Sequence, residues 1–493
     1  MYVWHDISGP KDIRAIVGSL SSEYAEDSIA DLLANNLSGS VRGILVERDY
    51  VDKDYRSVFY NFYAKKGDEF KRNCVRLHLF AEDVVLSCAA DGLRIIRGEN
   101  VDDEDPDDVL SRRYLGYVVL RPTGGDNIGR SVISPKALIG VAGGIITARH
   151  KVHVLGHRLN AVGFPWMMQH RDISVCAHVA CWSILRHYSE RYSKYAEFLL
   201  HEITKLAQPY DPGGMVPAAG LALQQAERIF YATGTFPLLI RKERESAAFL
   251  EQVFAYLESG FPLFAALNSK EHAVAIVGVK WSRFSATRGA VSVPQPVFRR
   301  AEALIVSDDQ QLPYAYMRMQ RSGQVVGLSV EDIDAILVPL PEKIFYPASS
   351  VRDVASHART LFKELVFPPK NGGIKRYYVT TTAALRRHFR DKAVSFDPKM
   401  VQAVMEMPMA QFVWVVEYSS DEQWQQGEVA VTIVLDATAS VRDNEPFWLA
   451  FDSKTALLWR ERKGANQQFV ELKLEPAERP YFRIQSNLDH FAG

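Results

Sequence analysis

Few residues in this 493-residue chain are equipped for covalent chemistry. Its cysteines are Cys74, Cys88, Cys176 and Cys181, and the last two lie close together in "QHRDISVCAHVACWSILRHY", Gln169 to Tyr188. Cys176 stands at the expected start of a helix, with Asp172 and Ser174 ahead of it as candidate caps. The unpaired N–H groups and positive dipole of a helix start favour a thiolate. His272 opens the apolar strand "HAVAIVGV", and Asp308 closes the strand "ALIVSDD". An imidazole at a strand start can face a helix N-terminus across a cleft and take a thiol proton. A carboxylate one strand later can accept from the other ring nitrogen and fix the tautomer. Cys, His and Asp in this order, on helix, strand and strand, are the parts of a thiol nucleophile that attacks a carbonyl.

Each residue also has a plainer reading. A cysteine at a helix start is more often inert, a histidine at a strand start is more often structural, and aspartates often end strands. Cys181 falls a turn inside the helix beside Trp182, where the N–H groups are already bonded, and reads as a small core hydrophobe. Of Asp308 and its neighbour Asp309, strand alternation lets only one face the histidine. Leu304 and Val306 share a face with Asp308, so Asp308 is expected to point inward and Asp309 away. His178 and His170 read as cleft-edge or surface residues.

The elements that must position these groups follow from periodicity. A long helix is expected from Cys176 to about Leu206, because Val179, Trp182, Leu185, Tyr188, Tyr192, Tyr195 and Leu199 recur every three or four residues. "AAGLALQQAERIFYATG" and "SAAFLEQVFAYLESG" read as two more helices. The period then switches to strands in "FPLFAALN", "HAVAIVGVKW", "EALIVSDD", "YAYMRM" and "DAILVPLP". Helices first and an antiparallel sheet after is an α+β layout. We expect three units: an N-terminal mixed α/β domain over residues 1–150, a domain carrying the chemistry over 151–345, and a C-terminal β-rich domain over 346–493. In the first, "DSIADLLANNL" reads as a helix, and "GSVRGILVERDYV" as a turn into a strand. "ENVDDEDPDDVLSRR" reads as a solvated acidic loop rather than a calcium loop, whose alternation and glycine it lacks. "TGGDNIG" reads as a connecting turn rather than an anion cradle. "KVHVLGHRLNAVGFPW" reads as a hairpin. Its His150, His153 and His157 face both ways without a carboxylate or cysteine at ligand spacing, so no metal site is expected there.

Bulk properties narrow the function classes. Apolar residues at 47% and charged residues at 24% are the balance of a globular chain. A formal net charge of −1 argues for neither nucleic acid nor an anionic membrane as partner. The start "MYVWHDISGPKDIRAIVG" lacks the pattern of a signal peptide, and the apolar run "ALIGVAGGII" is too short to span a bilayer. Four cysteines are too few for a disulfide scaffold. A reducing, cytoplasmic location is expected, where a free thiol can act.

The stretch from about Phe164 to Pro341 resembles the papain-like cysteine peptidases, most closely the bacterial double-glycine (bacteriocin-processing) branch. Gln169, ahead of Cys176, stands where those families carry an oxyanion-stabilising glutamine. "CAHVACWSILRHY" follows their nucleophile helix, "EHAVAIVG" their histidine strand, and "IVSDD" their aspartate strand end. One departure is "C-A-H", which puts His178 where a small residue or proline is usual and where it could narrow the cleft. A rival alignment sets "ACW" against the papain "SCW" and would promote Cys181. The chain on either side resembles only uncharacterised bacterial proteins. The resemblance implies an α+β peptidase fold and cleavage of a peptide or isopeptide bond without cofactor or metal. It implies Cys176 as nucleophile, His272 as base and acid, Asp308 as the group orienting His272, and Gln169 as oxyanion donor. The partner would be a protein or peptide substrate, with the flanking domains regulating access. The same residues also serve acyltransferases and deamidases, and a binding protein can keep the fold without the activity.

Overall fold

A computed structural model describes residues 2–492, except 21, 25, 68, 82–83, 90–91, 98–105, 126, 170–175, 208–220, 244–245, 283–293, 321–326, 370–372, 442–445, 461–467 and 476–479. Its architecture is α+β, with helices packed on antiparallel sheets. The first sheet has seven strands. It begins with Tyr2–Asp6, Gly43–Tyr50, Cys74–Phe80 and Tyr114–Leu120, and continues through Ser131–Ile133 to the hairpin Ala148–Val154 and His157–Trp166. The hairpin turn falls on Leu155 and Gly156, with φ of 49° and 88°. Two successive positive φ values match the right-handed twist of the paired strands.

The second sheet runs in the order Phe236–Arg241, Ala335–Leu340, Leu263–Leu267, His272–Trp281, Ala301–Ser307, Ala315–Arg318. The five strands expected from "FPLFAALN" onward are present. The edge strand Phe236–Arg241 was not expected. Its sequence, FPLLIR, is apolar, but Pro237 reads against a strand interior, and the half-exposed strand takes the sheet edge, where a proline is tolerated. The strand beginning at His272 changes partner along its length. Its first half pairs with Leu263–Leu267. Beyond Ile276 it meets Gly143–Ile145, which in turn pairs with Asp489–Phe491 near the chain's end. Close backbone approach demands glycine at this crossing: a Cβ on Gly278 would lie 2.4 Å from the Gly144 carbonyl oxygen.

The third sheet, again of seven strands, includes Gly373–Thr381, Phe412–Ser420 and Val431–Asp436 of the C-terminal part, with Gln295–Pro296 from the preceding unit at its edge. Its strands are apolar on both faces. Trp414, Val416 and Tyr418 join the large core that continues into the other two sheets, whereas Val413 and Val415 join a second core under the helices Thr382–Asp391 and Pro398–Glu406. Arg376 ties this sheet to the helix Ser246–Glu258, bonding Glu258 Oε2 at 3.1 Å and Glu417 Oε2 at 2.9 Å.

The central helix spans Cys176–Arg191 and is buried without a break from Ala177 to Tyr188. The expectation that it reaches Leu206 is corrected, since a separate helix covers Leu200–Leu206. The aromatic stripe does not need one helix to stay together: Tyr188, Tyr192 and Tyr195 pack edge to face across the break. Asp54 starts the second helix by accepting from the Leu200 N–H at 3.1 Å. The same carboxylate accepts from Trp182 Nε1 at 3.0 Å and Arg186 Nη2 at 3.1 Å on the central helix. A buried acid on the Lys53–Asn61 helix thus locks the N-terminal elements to the Cys176 helix.

Other expectations resolve locally. Part of the acidic loop is a helix, Pro106–Arg113, with Asp107 and Asp108 in its first turn; residues 98–105 lie outside the described residues. The Asp107 carboxylate meets His157 Nδ1 at 2.9 Å, while His150 is buried and His153 exposed on opposite faces of their strand, so the three histidines do not converge. The glycine-rich turn is already satisfied, its Gly125 N–H bonding Glu26 Oε1 at 2.7 Å.

Candidate active site

The central helix begins at Cys176, and its thiol is half-buried at the rim while Cys181 is fully buried. The difference follows from their positions. Cys181 faces the core, where burial pushes its thiol pKa far up and leaves it a hydrophobe. The Cys176 thiol lies close enough to the His272 ring to raise its pKa. His272 opens its strand directly after Glu271, a residue in the left-handed conformation (φ 49°) that turns the chain into the sheet. The ring is mostly buried, and its Nε2 lies 3.0 Å from Asp308 Oδ1. With Nε2 on Asp308, the ring nitrogen left for the sulfur is Nδ1.

The Asp308 strand ends at Ser307, one residue before the acid. Freed from the ladder, Asp308 forms a tight turn: Oδ1 also accepts from the Gln310 N–H at 3.0 Å, and Oδ2 accepts from Gln311 Nε2 at 2.9 Å. The Asp308 main chain is pinned from the first sheet by Trp166, whose Nε1 donates to its carbonyl at 2.6 Å. Tyr314 adds a second link, since its hydroxyl accepts from the Phe164 N–H at 2.7 Å and donates to the Ile133 carbonyl at 2.8 Å. Neither Trp166 nor Tyr314 could be assigned to the site from sequence, because both contacts join distant segments.

The early strand end also overturns the alternation expected for Asp309. Beyond Ser307 the strand no longer alternates, so Asp309 is buried at 4% exposure and its Oδ1 lies 3.9 Å from His272 Nε2. Neither of its oxygens has a hydrogen-bond partner among the described residues.

The electrostatics follow from this packing. Burial opposes a charge on His272, but the Asp308 hydrogen bond, the nearby Cys176 sulfur and the charges of both outweigh it and hold its pKa up to about 10. The imidazolium is therefore the resting form at neutral pH. Burial also opposes the Asp308 carboxylate, yet the bonds from His272 and Gln310 keep its pKa below the usual range. Asp309 is raised to about 7, by burial first, with His272 pulling it down and the Asp308 charge pushing it up.

The structure thus brings Cys176, His272 and Asp308 together. Gln169 is half-buried, three residues past Trp166 at the end of the strand tied to Asp308, and its carbonyl accepts from Arg121 Nη2 at 3.4 Å. No hydrogen bond joins Gln169 to the other three among the described residues. Residues 170–175, which include His170 and the expected caps Asp172 and Ser174, lie outside the described residues. His178 is neither at the surface nor at the cleft edge. It is 1% exposed within the helix, and burial lowers its pKa to about 4. No family model and no curated protein matches the chain. Among the described residues, no helix is long and apolar enough to cross a membrane.

Proposed function

We propose that the chain is a cysteine peptidase of papain-like arrangement that cleaves a peptide or isopeptide bond at Cys176. One observation carries this reading: a single imidazole, His272, lies beside the thiol at the head of a helix and bonds a buried carboxylate at 3.0 Å. The reacting form is a thiolate–imidazolium pair, favoured by the helix N-terminus and by Asp308. The thiolate adds to the substrate carbonyl carbon, and the C=O electron pair moves to oxygen. The Cys176 N–H and the Gln169 side chain hold that oxyanion; loss of one such donor costs on the order of a hundredfold in rate. The tetrahedral centre collapses, the C–N bond breaks, and His272 gives its Nδ1 proton to the departing amine. His272 then takes a proton from water, which attacks the thioester and releases the acid and the thiol. Asp308 keeps the ring oriented throughout.

Two further observations favour the reading. Burial of His178 removes the obstruction that "C-A-H" suggested. Cys74, Cys176 and Cys181 are all free thiols, in keeping with a reducing, cytoplasmic location. The N-terminal unit regulates the site through its supports, since Asp54 grips the nucleophile helix. The substrate is a protein or peptide. Incubating the full chain and its Cys176→Ala variant with a diverse peptide mixture, followed by mass spectrometry, tests this. New termini are expected with the wild type alone. Deamidated or amine-exchanged products without new termini would assign the same residues to deamidation or acyl transfer, and no Cys176-dependent product would reject the proposal.

A further inference from the structure

The mechanism above leaves Asp309 without a task. It is buried at 4% exposure with neither oxygen hydrogen-bonded among the described residues and only a long ion-pair contact, 3.9 Å, to His272 Nε2, although burying a carboxylate without bonded partners is costly. Its surroundings suggest what would satisfy it. One donor atom from each of His272, Asp308 and Asp309 can be chosen so that all lie within 4.8 Å of one another. Two of these separations are 3.0 Å, from His272 Nε2 to Asp308 Oδ1, and 3.9 Å, from His272 Nε2 to Asp309 Oδ1. Around a tetrahedral zinc ion, with nitrogen and oxygen ligands at about 2.0–2.2 Å, neighbouring ligand atoms stand roughly 3.4 Å apart. Shifts of about half an ångström would bring the measured pairs to that spacing.

We propose that His272 Nε2, Asp308 and Asp309 form an inhibitory binding site for a zinc-class divalent cation beside the nucleophile. The ligand set selects the ion. An imidazole nitrogen with two carboxylates suits zinc, whereas calcium and magnesium prefer more oxygen ligands. Two carboxylates on one imidazole leave net negative charge for a dication to neutralise. Binding displaces the Nε2 proton and with it the His272–Asp308 hydrogen bond. A metal on Nε2 parts the ring from Asp308, and the proton left on Nδ1 can then reach the departing amine only by leaving an imidazolate behind, so the acid step of the mechanism stalls. The inhibitory consequence rests on the peptidase reading, whereas the binding itself does not.

Calorimetric titration of the full chain, purified with chelator and then dialysed, with zinc chloride tests the site. One zinc per chain is expected for the wild type, with no comparable binding of magnesium or calcium. Asp309→Asn and His272→Gln should each weaken it at least tenfold, the lower end of what losing even an outer partner of a metal ligand costs, with circular dichroism confirming that each variant is folded. Cys176→Ser should leave zinc binding unchanged. Absence of a stoichiometric site in the wild type, retention in folded Asp309→Asn, or loss in Cys176→Ser would each overturn the assignment; the last would make the thiolate the ligand. Alkylation of Cys176 by iodoacetamide with and without zinc separates the two proposals. An unreactive Cys176 without zinc counts against the peptidase reading alone, and Cys176-dependent peptide turnover that saturating zinc does not slow counts against inhibition at this site.

Discussion

Replacing Asp308 with asparagine separates the charge of that residue from its geometry. Asp308 Oδ1 serves both His272 Nε2 and the Gln310 N–H, while Oδ2 accepts from Gln311 Nε2. An asparagine keeps its oxygen on the first side and turns its amide toward Gln311, whose own amide can rotate to present oxygen. The hydrogen bonds survive and the negative charge is lost. Lifting His272 from 6.5 to about 10 amounts to roughly 5 kcal/mol in favour of the imidazolium. That lift is what remains after burial is overcome, and Cys176 supplies part of it. Allowing for solvent screening, we assign about 2 kcal/mol to the Asp308 charge. The His272 pKa should then fall by about 1.5, and the alkaline limb of the kcat/KM profile, which reports loss of the imidazolium, should move down by the same amount. NMR titration of ring-labelled histidine in wild type and Asp308→Asn measures the first, and peptide turnover the second. A His272 pKa within a few tenths of wild type would refute the assignment of Asp308 as its charge partner.

Asp54→Ala should destabilise the fold by about 1–3 kcal/mol in urea melts, since it leaves the buried Trp182 and Leu200 N–H groups without their acceptor and Arg186 with Glu197 as its remaining carboxylate. Iodoacetamide should label Cys176 in the native protein and spare fully buried Cys181 until the chain is unfolded, as read by peptide mapping. Asp309, raised by burial from 3.8 to about 7 in the folded chain, binds its proton there more tightly than when unfolded. Its contribution to stability is present below pH 4 and lost as pH rises to about 7, by on the order of 2–4 kcal/mol. Asp309→Asn should abolish that fall in thermal melts between pH 4 and 7. The later fall from His272, whose raised pKa gives up its stabilisation between about 6.5 and 10, should persist, and an unchanged slope below pH 7 would show that Asp309 is not proton-bound there.

The site was legible where chain punctuation carried it. Cys176 follows polar capping residues, His272 starts an apolar run, and the aspartates end one, so element boundaries alone set them on helix, strand and strand. Asp309 was misread because alternation was extended past Ser307, where the Asp308 turn replaces the ladder. The helix was drawn too long because a tyrosine stripe at helical spacing persists across the break, while the acid that starts the next helix, Asp54, lies far away in sequence. The short strand Gly143–Ile145 and the terminal strand Asp489–Phe491 carry no local sign of joining the His272 sheet, nor does Trp166 of bonding the Asp308 turn. Such non-local pairings are fixed by tertiary packing, and periodicity does not report them.

The central claim is that His272 activates Cys176. The rate of Cys176 alkylation by iodoacetamide at pH 6, in wild type and in a folded His272→Ala variant, tests it most directly. An ordinary thiol, with a pKa of about 8.5, is almost wholly protonated at that pH, so rapid labelling requires the ion pair. We expect the wild type to react at least tenfold faster than His272→Ala; equal rates in the two would contradict the account.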